Sequence, residues 1–162
     1  MSIGEPITRE PGIFKLGMAW VLLCLALAVH VTDEASTGFL AVYNPTVVAL
    51  RARLGFWPMP TFEFREWLIG LVFAVLVLLA LSPFAFRGSR WIRPLFYFLA
   101  GVMLANGLGH TAGTIFGRTV SSVRFPRPMP GFYSSPLLLA ASVYALIQLR
   151  RTRWSRTAAP HL

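Results

Sequence analysis

His30 and Glu34 stand four residues apart where a long apolar run meets its first charges, in the segment His30-Val31-Thr32-Asp33-Glu34. An imidazole and a carboxylate at that spacing share one face of a helix. At the mouth of a hydrocarbon-length helix such groups are costly to desolvate, and they are kept there for proton transfer, ligand recognition or metal binding. Asn106 and His110 repeat the four-residue spacing inside a later apolar run, and Glu63 and Glu66, three apart, open another. Two imidazoles, two to four carboxylates and an amide are therefore available for chemistry if the runs carry them to one depth.

Each of these groups also has an ordinary use. His30 can cap its own helix end, where the macrodipole favours a partly cationic ring. Asp33 and Glu34 can be solvated end residues, and Glu63 and Glu66 can be the carboxylates that any helix start favours. Asn106 can serve as interhelical glue. His110 can be satisfied by one backbone carbonyl. What favours a joint site is the arrangement of the runs that carry them.

Of the 162 residues 56% are hydrophobic and 13% charged, and the apolar residues gather into runs too long for a soluble core. The expected fold is all-α: a polytopic membrane protein built as a four-helix bundle, with spans about 13–34, 64–86, 91–116 and 132–150. A polar arm, Met1 to Gly12, precedes the first span. That span is followed by polar residues rather than a small-x-small cleavage site, so it reads as a retained helix and not a signal peptide. Between the first two spans, Asn44-Pro45, Gly55, Pro58 and Pro60 break the chain, and Thr46 to Leu54 suits a short interfacial helix able to lid a site beneath it. Thr61 is the expected N-cap of the second span, an aliphatic wall facing lipid. The third span holds Gly101, Gly107, Gly109 and Gly113, whose small size allows close helix approach and suggests the central helix. Arg118 to Arg127 is a polar connection, and the fourth span starts with Tyr133, Ser134 and Ser135. Cys24, the single cysteine, reads as an apolar filler.

The net charge of +9 comes from 15 basic against 6 acidic residues. The basic residues lie between the apolar runs, so they mark topology and anionic-lipid contacts rather than nucleic acid. Nine fall on the side of both termini (Arg9, Lys15, Arg87, Arg90, Arg93, Arg150, Arg151, Arg153, Arg156) and six on the other (Arg51, Arg53, Arg65, Arg118, Arg124, Arg127), which places both termini in the cytoplasm. His30, Asp33, Glu34, Glu63, Glu66, Asn106 and His110 then share one non-cytoplasmic layer.

In these residues the chain resembles the small bacterial integral membrane proteins named for a His-x-x-Glu-Glu (HXXEE) motif. The motif stands here as His30-Val31-Thr32-Asp33-Glu34, with Asp in place of the first Glu, and Asn106-x-x-x-His110 and Pro130-Gly131 are similar to that family's later polar signatures. The resemblance covers about Met18 to Tyr144. It implies a bacterial inner-membrane location and supports grouping His30, Glu34 and His110, without naming a reaction.

Two catalytic readings follow. In one, His30, Glu34 and His110, with Glu66 beside them, hold a divalent ion such as Zn or Fe and leave a position for water that attacks a lipid-derived ester, amide or phosphate; Asp33, Glu63 and Asn106 contact the substrate. No His-Glu-x-x-His or cysteine ligand set accompanies them. In the other, no metal takes part, and a buried carboxylic acid and an imidazole exchange protons with an apolar sterol- or isoprenoid-like molecule; the four-helix EXPERA isomerases are similar in size and in placing such groups in the membrane. A third reading is a non-enzymatic lipid or small-molecule binder, or an accessory subunit. In each, the partners are membrane lipids and a lipid-soluble small molecule.

Overall fold

A computed structural model describes residues 11–157. The expected polar arm lies outside the described residues up to position 10, and Pro11 and Gly12 already belong to the first helix. Helix α1 runs from Pro11 to Thr37, α2 from Leu40 to Leu54, α3 from Phe64 to Ala80, α4 from Ser82 to Phe86 and α5 from Ile92 to Phe116. Strands β1 (Arg118–Val120) and β2 (Val123–Arg124) pair antiparallel, and α6 spans Ser135 to Thr157. The described chain is mostly helical, as the apolar periodicity requires. Among the described residues three segments are long and apolar enough to cross a membrane: Gly12–Thr37, Phe64–Phe86 and Ile92–Phe116. Helix α6 is 23 residues long. It starts later than expected, after a turn at 131–134, and continues into the basic stretch that begins at Arg150.

The buried stripe of α1 explains where the chemistry sits. Leu16, Trp20, Leu23, Leu27, His30 and Glu34 are all buried at alternating steps of four and three residues, one continuous helical face whose last two members are polar. Helix α5 buries Ile92, Phe96, Leu99, Met103, Gly107 and His110 in the same manner. On α6 Ser135, Leu138, Ser142, Ala145, Leu149 and Thr152 are buried at steps of three and four, typical of near-parallel helix packing, with Ala141 and Gln148 buried beside them.

Helix α6 lies between α1 and α5 and makes the most extensive contacts with both, while α3 and α4 lean on the far side of α1. The glycine-rich third span is therefore not the centre of the bundle. Gly107 does bring helices close: a Cβ there would meet Leu139 of α6 at 2.8 Å. Gly101 and Gly109 face open space instead.

The second span is broken within its last turns. Pro83 has no N–H for the carbonyl of Leu79, so α3 ends and α4 restarts one residue later. The Trp20 indole N–H donates to the Leu78 carbonyl at 2.9 Å, and the Trp20 ring packs edge-on against Phe96 with centroids 5.0 Å apart. Beyond Trp67 and Val75 little of α3 is buried. Ile69, Val72, Phe73 and Leu76 form an exposed aliphatic wall, as expected of a lipid-facing helix. Cys24 is free and buried in the core.

Two local readings change. The interfacial segment starts at Leu40, not Thr46, because Asn44-Pro45 lies inside α2. Asn44 uses its side chain outside the helix, donating to the Phe62 carbonyl at 2.9 Å and accepting from the Phe62 N–H at 3.1 Å. That bracket holds the 55–63 loop, along with Tyr43 Oη on Pro60 O at 3.0 Å. Burial pushes the Tyr43 phenol above its usual pKa, with Arg51 pulling the other way. The second is an element added within the expected polar connection, the β1–β2 hairpin.

Candidate functional site

The ends of the α1 and α5 stripes meet. His30, Glu34 and His110 are buried, and one potential ligand atom from each lies within 4.8 Å of the others. Glu34 Oε1 is the hub, 3.0 Å from His110 Nε2 and 3.3 Å from His30 Nε2. The two rings stand edge to face, with centroids 4.8 Å apart.

The orientation of His30 is fixed from behind. Asp33 Oδ2 accepts from the Ser134 backbone N–H at 2.8 Å and from the Ser134 hydroxyl at 2.7 Å. With its only proton given to a carboxylate, the hydroxyl must accept from His30 Nδ1, 2.7 Å away. His30 Nε2 is then the bare nitrogen, and the Asn106 amide donates to it at 3.0 Å. The Asn106 N–H takes up that lone pair, and a metal ion beside Glu34 Oε1, 3.3 Å away, would have to displace the amide to be bound by Nε2.

This carboxylate–hydroxyl–imidazole chain is the outer support usual for a ligating histidine. Asp33→Asn, which removes the charge that fixes the Ser134 proton, is expected to weaken metal binding about tenfold to a hundredfold. Competition with a chromogenic chelator would measure it, and unchanged affinity would show that the chain does not orient His30.

His110 is held differently. Its Nε2 faces Glu34, its ring packs on Phe39 with centroids 5.4 Å apart, and its Nδ1 is buried without a hydrogen-bond partner. Gly131, at φ +83°, closes the site from the α6 side, and a Cβ there would fall 2.6 Å from His110 Cε1 and 2.9 Å from Glu34 Cγ. The Gly131 N–H is anchored by Thr37 Oγ1 at 3.1 Å. A cavity of about 470 Å³ opens beside the cluster, lined by Phe39 just before α2, Val42 and Tyr43 of α2, Asn106 and His110 of α5, and Arg118 of β1. Residues of α2 thus line one wall of the cavity beside the cluster.

The structure brings together His30, Glu34, Asn106 and His110, with Asp33 attached through Ser134. It does not bring in Glu63 or Glu66. Both are exposed at the start of α3, with Glu63 the N-cap residue. The first turn of α3 turns Trp67 inward, tilted against Phe39 with centroids 6.0 Å apart, so the neighbouring carboxylates point elsewhere. The sequence reading did not assign Ser134 or Thr37 to the site. Ser134 lies in the polar layer at the head of α6, but a serine at a helix start is too common to single out.

The donor set, two imidazole nitrogens and one carboxylate oxygen, is that of zinc hydrolases and resembles the facial triad of non-haem iron enzymes. Metal–ligand bonds of about 2.0–2.1 Å in a tetrahedron place neighbouring donors about 3.3 Å apart, close to the two separations around Glu34 Oε1. His30, Glu34 and His110 could thus hold a metal ion. The comparisons with protein-family models, curated proteins and solved structures return no match for the chain.

Proposed function

We propose that the protein is a membrane-embedded, metal-dependent enzyme of hydrolase type acting on a lipid-soluble substrate. The observation that carries this is the convergence of His30 Nε2, Glu34 Oε1 and His110 Nε2 in a buried pocket beside a cavity. A buried carboxylate needs a compensating cation. No Lys or Arg ion pair with Glu34 is present among the described residues. A divalent ion there supplies Lewis acidity and lowers the pKa of water. The chain's own part is to hold two imidazoles and a carboxylate in place, to set the His30 tautomer through Asp33 and Ser134, and to offer the Asn106 amide beside the cavity. Elemental analysis of protein purified in detergent should find close to one Zn or Fe per chain. A value near zero, after purification without chelators and with metal added back, would remove this reading.

The second reading, a metal-free acid–base isomerase, is favoured by one observation. If His110 Nε2–H donates to Glu34, Nδ1 is an unpartnered acceptor, and such a group is tolerated better in a protein interior than an unpartnered N–H. A third reading, lipid binding without catalysis, uses the same cavity.

The location is part of the proposal. The exposed apolar side chains of α1, α3 and α5 support a lipid environment, since water-facing patches of that extent are rare in soluble monomers. Helix α6 is taken as the fourth span, α2 as interfacial, and both termini as cytoplasmic in a bacterial inner membrane, which agrees with kinship to the HXXEE proteins. Reporter fusions after Gly88 should give a cytoplasmic signal and those near Gly55 the opposite; signals on the same side would break the four-span layout.

A further inference from the structure

We infer that the cavity beside His110 receives a single-chain amphiphile with an anionic head, the head at Arg118 and the chain along the apolar wall. This deepens the enzymatic proposal, since it treats the His30–Glu34–His110 cluster as the reactive end of the cavity. The argument is one of charge. Arg118 lines the cavity and is the registered β-partner of Arg124, which puts two cationic residues at paired positions of the hairpin. Like charges directly opposite on a ladder are destabilising unless an anion lies between or beside them. A third guanidinium, that of Arg127, lies against Gly117, the residue before Arg118. Among the described residues none of these three makes an ion pair, and the nearby exposed surface offers them no carboxylate from the hairpin itself.

The rest of the cavity has the opposite character. Phe39, Val42, Phe116 and Met129 provide an apolar wall, and Gly109 leaves it open, with no atom within 4 Å of where its Cβ would be. The volume of about 470 Å³ falls in the lower half of the range for small-molecule sites, room for one chain and not for two. Six residues of α5, about 9 Å of helix, separate His110 from Phe116, and Arg118 lies just past that helix end at the start of β1. The anionic head therefore sits beyond the end of α5, away from the bond presented to the cluster. Guanidinium groups favour phosphate or carboxylate oxygens through paired, charge-assisted hydrogen bonds.

Binding, rather than turnover, tests this. Full-length protein in detergent would be titrated with lysophosphatidic acid, with lysophosphatidylcholine of the same chain, and with inorganic phosphate. Lysophosphatidic acid should bind at least about tenfold more tightly than either alternative, because it alone supplies both the net anionic head and the chain. Arg118→Gln should lower its affinity about tenfold or more. Gly109→Leu, which fills open space without displacing a neighbour, should block both lysolipids while leaving the metal content unchanged. Equal affinity for the two lysolipids, phosphate competing as well as lysophosphatidic acid, or wild-type binding by both variants would overturn the inference. Loss of binding in both variants of a protein that holds no metal would leave the amphiphile site standing and remove only the metal-dependent reading.

Discussion

Glu34→Gln is expected to lower metal affinity at least about a hundredfold while the helices stay packed. The amide has the shape of the carboxylate and fills the same space between His30 and His110, so no cavity opens. It lacks the negative charge, and Glu34 is the single anion within the buried cluster. Thermal unfolding of the metal-free variant and of the metal-free wild type sets the baseline for each. Added Zn should raise the unfolding temperature of the wild type and not of the variant, as ligand linkage requires. A variant that gained as much from Zn as the wild type would show that the metal, if bound, lies elsewhere.

Gly131→Ala should damage the same site by a different physical route. The residue sits at φ +83°, where an L side chain is strained, and its new Cβ would press on His110 Cε1 and Glu34 Cγ. Neither neighbour can yield easily, because both belong to buried, packed helices. The expected outcome is a loss of about 1–3 kcal/mol in stability and a tenfold or greater loss of metal affinity. Gly38→Ala provides the control. Its φ of +76° carries similar strain, but nothing lies within 4 Å of the added atom. Thermal unfolding and metal titration of the two variants should separate strain from intrusion. If they behave alike, Gly131 is only a turn residue.

The buried cluster was legible because two independent regularities coincided. His30 and Glu34 continue the four-and-three spacing of the α1 core stripe, and His110 does the same on α5 with Asn106 at the edge of that stripe, so polarity appears on faces already committed to the interior. Glu63 and Glu66 met the depth criterion but not the facial one. Trp67 is next to Glu66 in sequence, about 100° round the helix, and either could have faced inward until the contact of Trp67 with Phe39 decided it. Pro45 misled because a proline after an asparagine ordinarily marks a turn; here the Asn44 side chain bonds Phe62 and leaves the helix backbone intact. The hairpin at 118–124 is too short for alternation to show. Ser134 could be placed only once α6 was seen to start beside the end of α1.

The polar residues on the buried face of α6 have a consequence for biogenesis. Ser135, Ser142 and Thr152 each donate to a carbonyl four residues earlier, at 2.8, 2.7 and 2.8 Å, so their hydroxyls need no acceptor from another helix. On the proposal that α6 is a fourth span, such a segment enters the bilayer as an independent helix and associates afterwards. It is also translated after α1 and α5, yet it supplies Ser134 and follows directly on Gly131. A nascent chain therefore carries His30, Glu34 and His110 through translation without their outer wall, and on the proposed metal-dependent reading ion loading belongs to the interval after the final helix has docked.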